Sequence, residues 1–253
     1  MTDEFLEAIP AATLVLFRER PGGAPELLMV ERAKAMVFAA GALVFPGGRI
    51  DPGDHSLATI LGGDREDTAG RIAAIRETIE EVAMPIGLEP VPTAEELAAL
   101  RAALHAGTSF GEALADAGLS LNPSSLVPYA RWLPRHANMR IFDTRFYLAR
   151  LPANAPLPEV DATENVRVLW TTAQQVLDDA DAGRARIIFP TRRNLERLAQ
   201  YRSFAEAVDD TIRHPIRTVT PWIEQRGGED YLCIPHDIGY PVASETIASA
   251  MRG

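Results

Sequence analysis

Three glutamates, Glu77, Glu80 and Glu81, stand three and four residues apart in the run Arg76-Glu77-Thr78-Ile79-Glu80-Glu81. Residues so spaced share one face of an α-helix, while Ile72, Ile75, Ile79 and Val82 recur on the opposite face. The spacing therefore predicts a helix over 68–84, stopped by Pro85, with carboxylates on one side and an apolar stripe on the other. Like charges this close repel by about 0.2–0.5 kcal/mol per pair. A hard divalent cation answers that repulsion, because Mg²⁺ is held by a few carboxylates together with waters and substrate phosphates. The plainer alternative is a solvated acidic helix face. Upstream, Phe45-Pro46-Gly47-Gly48 closes an apolar strand in consecutive glycines. Such glycines let the backbone approach a ligand and bring a carbonyl to a metal, although an ordinary turn also uses them.

The elements that must position these residues follow from periodicity and punctuation. Residues 11–20 and 27–32 read as the two strands of a hairpin around Pro21-Gly22-Gly23, and 41–46 as a further short strand. From 49 to 67 the chain is polar and rich in Gly and Asp, so a loop is expected. Helices are expected at about 93–106 and 109–117, a strand pair at 127–134 and 140–151 joined through 135–139, and a Pro-rich loop at 152–164. A short strand at 166–170 then leads into helices at 171–183 and 190–201, which carry a threonine cap and an N-terminal proline. The tail from 214 reads as short strands and turns. Strands, a long helix, more helices, strands and again helices predict an α+β or layered α/β/α domain with a mixed sheet.

Composition narrows the function. The 253 residues are 47% hydrophobic and 24% charged, as in an ordinary globular chain, and one unit spanning 1–253 is expected. The 35 acidic residues outnumber the 25 basic ones, for a net charge of −10. Such a surface repels phosphate backbones and anionic lipid, so no nucleic acid and no membrane is expected as partner. No apolar run is long enough to cross a bilayer, and the acidic start MTDEFLEAIP lacks the basic region of a secretory signal. A cytoplasmic location is expected. The single cysteine, Cys233, excludes an intrachain disulfide and a cysteine-based zinc site, and the five histidines show no metal-ligand spacing. Serine-hydrolase elbow, phosphate-loop and dinucleotide fingerprints are absent from the sequence.

The glycine pair and the glutamate helix together resemble the Nudix box, G-x5-E-x7-R-E-U-x-E-E-x-G-U with U aliphatic. Gly48 plus five residues reaches Asp54, where the family has Glu, and Arg76-Glu77, Glu80-Glu81 and Met84 match the second half. Residues 55–75 number 21 where the usual box has seven, an insertion of 14 centred on 55–67. Thr78 replaces an aliphatic residue and Ala83 the glycine, so the helix is expected to end differently from the family's left-handed glycine. Further upstream, Leu28-Met29-Val30-Glu31-Arg32-Ala33, Gly41 and Phe45-Pro46-Gly47-Gly48 are similar to the signature of coenzyme A-directed Nudix enzymes, with Val37 where that signature has a second arginine. The split box resembles the peroxisomal coenzyme A diphosphatase branch and its bacterial relatives.

The resemblance implies a Nudix fold with a core of about 10–200, a helical insertion of about 93–118 and a C-terminal extension over 201–253. It implies a Mg²⁺- or Mn²⁺-dependent pyrophosphohydrolase acting on a nucleoside diphosphate linked to another moiety, with coenzyme A or acyl-coenzyme A among the substrates. Glu77, Glu80 and Glu81 would hold the metal, with the Gly47 carbonyl as a further ligand, and Arg76 would orient a box carboxylate through a salt bridge. Glu80 or Glu81, or Glu164 outside the box, would act as base; Glu164 also reads as a plain loop carboxylate. Arg32, Gly48 and Arg145 would contact substrate, with Arg131 and Arg140 near Arg145, although Arg32 also reads as a surface arginine at a strand end. A homodimer is the assembly left open. The alternative is a Nudix-fold module that binds a nucleotide metabolite and regulates a partner without hydrolysis.

Overall fold

β1 (Ile9–Arg18) is buried on both faces: Ala12, Leu14 and Leu16 join one apolar cluster, Val15 and Phe17 another. This period-two division is that of a strand lying between two cores. The computed structural model describes residues 8–36, 39–134, 141–161 and 164–250, so Val37, His136, Arg140 and the 135–139 connection lie outside the described residues. β2 (Glu26–Arg32), β3 (Leu43–Val44) and β4 (Gly47–Arg49) follow. The expected 11–32 hairpin is closed only at its turn, through Phe17↔Leu27 and Arg18↔Glu26. Farther along, β1 pairs instead with β4 at Ala11, Ala12 and Thr13, which draws the Gly-Gly segment into the sheet.

The 49–67 segment corrects the expected loop. It contains α1 (Pro52–Leu61), a helix of 10 residues. Asp51 caps it, Pro52 opens it, the Asp54 carboxylate accepts the Asp51 N–H at 2.8 Å, and Gly62 closes it at φ 78°. The Gly, Pro and Asp that resemble loop composition are the punctuation of a helix. Ala58 is fully buried and Leu57 packs on the core, whereas Ile60 is 78% exposed, so the insertion is half embedded.

α2 (Arg65–Val82) begins three residues before the expected start, because Asp64 caps it by accepting from Glu66 and Asp67 N–H. Its end is a second correction: Ala83 does adopt the left-handed conformation, at φ 54° and ψ 41°. The Ala83 N–H reaches the Ile79 carbonyl at 3.0 Å and the Met84 N–H the Thr78 carbonyl at 3.4 Å. Those bonds, with the burial of Met84 and Ile86, offset a cost of about 1–2 kcal/mol for a Cβ there. Thr78, fully buried in an aliphatic position, satisfies its hydroxyl on the Ala74 carbonyl at 2.7 Å.

β5 (Leu88–Glu89), α3 (Ala94–His105), α4 (Phe110–Asp116) and β6 (Ser120–Leu121) form the helical insertion, with β5 and β6 paired as a ribbon. β7 (Val127–Trp132) is antiparallel to β8 (Phe142–Arg150), and β8 runs parallel to β1 from Ile9↔Phe142 to Phe17↔Arg150. β9 (Asn165–Thr172) lies antiparallel to β2, with a bulge between Glu31 and Arg32 that sets Arg32 opposite Asn165. α5 (Ala173–Asp181), α6 (Phe189–Leu198) and α7 (Phe204–Arg213) follow; α7 lies just before the expected tail and is capped by Ser203. β10 (Thr218–Val219) pairs parallel with β7, while β11 (Trp222–Arg226), β12 (Glu229–Cys233) and β13 (Ser244–Thr246) form a separate small sheet before α8 (Ile247–Ala250).

The sheet order β10-β7-β8-β1-β2-β3, with β4 on β1 and β9 on β2, mixes parallel and antiparallel pairs. One face buries Ile72, Ile75, Ile79 and Val82 of α2 with residues of α1, α3 and α4; the other buries Val176, Leu177, Leu195 and Leu198 of α5 and α6. The result is the layered mixed-sheet α+β architecture anticipated from the element order. Trp132 is core, whereas Trp222 is 42% exposed. Among the described residues no helix is long and apolar enough to cross a membrane.

Candidate active site

The end of β4 meets the second half of α2. Gly48 lies against Glu77 so closely that a Cβ on the glycine would stand 2.4 Å from the carboxyl carbon. The Gly47 N–H donates to Glu81 Oε2 at 3.0 Å. Gly47 thus ties the strand end to the glutamate helix through its N–H.

Arg76 organises the carboxylates. Its Nε and Nη2 bind Asp54 at 3.1 and 2.9 Å, its Nη1 binds Glu77 at 2.9 Å and Glu80 at 3.2 Å, and Nη2 also donates to the Arg49 carbonyl. Asp54 is 1% exposed, so this is a buried charged fork and not a surface pair. Burial opposes the guanidinium charge, but the Asp54 hydrogen bond and the charges of Glu77, Asp54 and Glu80 outweigh it and raise the Arg76 pKa. Much of the repulsion between the glutamates is therefore answered by Arg76.

Glu81 is answered less well. It is 6% exposed, and burial, reinforced by the charge of Glu77, pushes its carboxyl up to about 8. The Asn165 carboxamide first, then the Gly47 N–H and Arg32, work in the other direction. Burial likewise pushes Glu77 up to about 7 against the pull of Arg76. Protein groups alone leave these two carboxylates short of positive charge.

Arg32 and Glu164, far apart in sequence, arrive at the same place. Arg32 Nη1 lies 3.9 Å from Glu81 Oε1, and Nη2 lies 3.4 Å from Glu164 Oε2. The Pro-rich loop makes this possible by capping α2: Glu159 N–H donates to the Val82 carbonyl and Asp161 N–H to the Glu81 carbonyl, at 3.1 and 3.0 Å. Asp161 then accepts from Glu164 N–H at 2.8 Å and Asn165 N–H at 3.2 Å, fixing the entry to β9. Glu164 keeps its side chain 57% exposed at the rim. Arg101 completes the helix end by donating to the Glu80 and Glu81 carbonyls.

Arg145 is not brought in. It is in register with Ala12, which is in register with Gly48, so two strand spacings or about 10 Å separate it from the glycine. It packs instead by Gly70 and Tyr147 near the start of α2, and Arg131 is committed to Asp143 at 2.8 Å. Sequence reasoning missed Asn165, which is fully buried beside Glu81; an isolated asparagine at a strand start carries no signal.

Among the described residues no three acidic, histidine or cysteine side chains form a ready-made metal cage. Arg76 holds Glu77 and Glu80, and Gly47 holds Glu81. The donors still fit a hard cation: all are carboxylate oxygens, two of them short of positive charge, and Mg²⁺ ordinarily takes one or two carboxylates with waters and substrate phosphates.

A mixed sheet that lays a Gly-Gly strand end against an R-E-x-x-E-E helix is the arrangement that the resemblance to the Nudix box implied. No family model matches the chain. The chain is 26% identical over 225 residues to nudix hydrolase 7 of Caenorhabditis elegans, covering 85% of this chain and 69% of the relative. It is 39% identical over 85 residues to the uncharacterized Nudix hydrolase NudL of Salmonella typhimurium, a match spanning only 36% of that relative's length. The solved structure of a Nudix hydrolase from Alicyclobacillus acidocaldarius superposes with a TM-score of 0.70 at 28% identity, covering 80% of this chain and 96% of that one. Over most of its length the chain is thus similar to proteins named as Nudix hydrolases, and it shares the fold of a solved one.

Proposed function

We propose that the protein is a divalent-cation-dependent pyrophosphohydrolase that cleaves a nucleoside diphosphate linked to a second moiety. The observation that carries this reading is Glu81: a buried carboxylate flanked by Glu77 on the same helix, with Arg32 3.9 Å away and Arg32 itself leading to Glu164. A site with carboxylates short of positive charge beside a guanidinium suits a reaction in which a cation and a diphosphate arrive together.

Glu77, Glu80 and Glu81 would hold Mg²⁺ or Mn²⁺, which when bound neutralises diphosphate oxygens and acidifies a water. Arg32 would bind a phosphate, since a guanidinium meets two phosphate oxygens at once. Gly48, lacking a side chain, keeps the approach to Glu77 open. Glu164, exposed at the rim, would take the proton from the attacking water, with Glu81 or Glu80 as the alternative base. Arg145 could reach only a distant part of a long conjugate.

Coenzyme A or an acyl-coenzyme A is the first substrate class to test, on the strength of Arg32, Ala33, Gly41 and the Phe-Pro-Gly-Gly segment. The experiment is a panel of coenzyme A, ADP-ribose, NADH and dinucleoside polyphosphates with Mg²⁺ or Mn²⁺. Cleavage of at least one is expected. Binding without cleavage would make the protein a regulatory module, and coenzyme A as the poorest substrate would overturn the narrower assignment.

A further inference from the structure

Asn165 is fully buried; its carboxamide lies close enough to Glu81 to help hold that carboxyl down, yet neither its amide nitrogen nor its amide oxygen makes a hydrogen bond of good geometry. Its cross-strand partner, Arg32, carries a second unpaired group, the buried Nε. Buried polar groups are almost always paired, and an apolar side chain of similar shape could occupy this place without penalty. The backbone does not require asparagine: its φ is not in the left-handed region, and its N–H bond to Asp161 is available to any residue except proline. A polar side chain kept at such a position therefore points to a partner in another state of the site.

The unpaired atoms are complementary. Asn165 offers an acceptor oxygen and two N–H donors, Arg32 Nε offers one donor, and Glu81 Oε1 has the Arg32 guanidinium no nearer than 3.9 Å. The bulge at Glu31 and Arg32 places Asn165 and Arg32 opposite each other, and Glu81 lies beside both. Arg32 Nη2 leans to Glu164.

We propose that Asn165 is a positioning residue of this site, its carboxamide bridging the Glu81 carboxylate and the Arg32 guanidinium when a diphosphate is bound. The inference rests on the pyrophosphohydrolase reading. In the bound state Asn165 Nδ2 donates to Glu81 Oε1 and Oδ1 accepts from Arg32 Nε. That arrangement fixes the direction of the carboxylate and leaves both Nη groups of Arg32 for phosphate oxygens.

The test is Asn165→Leu, with Asn165→Ala as a second variant, read in three ways: melting temperature, the separate kcat and KM for the best substrate of the panel, and calorimetric binding of α,β-methylene-ADP with Mg²⁺. For Asn165→Leu we expect a melting temperature no lower than that of the wild type, because an unpaired polar group has been removed. Its kcat is expected to fall about tenfold and analogue affinity by a similar factor, and Asn165→Ala should show the same losses. Unchanged kcat, KM and affinity in both variants would overturn the inference. So would a fall in melting temperature in both variants without a kinetic change, which would mark Asn165 as structural. A wild-type protein that binds the analogue but cleaves nothing would overturn the hydrolase reading alone, and the calorimetry would still decide on Asn165. A wild-type protein that neither binds nor cleaves would overturn both.

Discussion

Gly48 and the carboxylate of Glu77 are in direct contact: a Cβ added to the glycine would lie 2.4 Å from Glu77 Oε1 and 2.6 Å from Oε2. The obstacle there is the far end of a flexible side chain. At Gly47 it is backbone, with the Ala12 carbonyl oxygen at 2.3 Å and Thr13 Cα at 2.7 Å. The two adjacent glycines thus serve different ends, the first allowing β4 to pair with β1 and the second allowing the helix carboxylate to sit on the strand.

These contacts predict opposite phenotypes. Gly48→Ala should fold with a melting temperature within a few degrees of wild type, while displacing Glu77 and lowering kcat by about tenfold or more. Gly47→Ala should lose stability first. Thermal melts and kinetics on the two variants side by side check this, and a Gly48→Ala enzyme of full activity would remove Glu77 from the working site.

Glu81→Gln should lower kcat at least about a hundredfold with saturating Mg²⁺, and Glu80→Gln should do the same. In the metal-free protein, Glu81→Gln should also change how stability depends on pH. Burial raises the folded-state pKa of Glu81 from an ordinary 4.5 to about 8, so between these values the folded state holds a proton that the unfolded state has released. Stability from this group is therefore lost as pH rises from about 5 to 8. The melting temperature of Glu81→Gln relative to wild type should rise across that window, and a constant difference would contradict the buried placement of Glu81.

Arg32→Ala should raise KM for the diphosphate substrate about ten- to a hundredfold while lowering kcat much less, as a lost charged hydrogen bond to a ground-state phosphate does. Steady-state kinetics on the best substrate of the panel decide it. A loss confined to kcat would mean that Arg32 serves Glu81 and Glu164 instead of substrate.

Asp54→Ala should be costly to the fold. It removes the buried partner of Arg76 and the acceptor for the Asp51 N–H that opens α1. Breaking one side of a buried pair costs about 3–5 kcal/mol, a fall in melting temperature of at least about 6 °C for a chain this size. A melt unchanged from wild type would show that the Arg76 fork contributes no net stability.

The local features were legible in the residues alone. The helix carrying Glu77, Glu80 and Glu81 follows from a period of 3.6, the apolar stripe of Ile72, Ile75 and Ile79 from the same period, and the close backbone approach at Gly47 and Gly48 from the absence of side chains. Where composition misled, the same residue types had two uses: Asp51, Pro52 and Gly62 punctuate a helix as readily as they fill a loop, and Ala83 accepts a left-handed turn because the bonds and burial around it compensate. The pairing of Asp54 with Arg76 spans 22 residues and that of Arg32 with Glu164 spans 132, and no periodicity encodes such distances. Those contacts were decided by the tertiary structure. A strand register, a bulge at Arg32 and a loop capping the end of α2 converge on one carboxylate, and only when the layers close does Glu81 lose its water and Asn165 come to lie beside it.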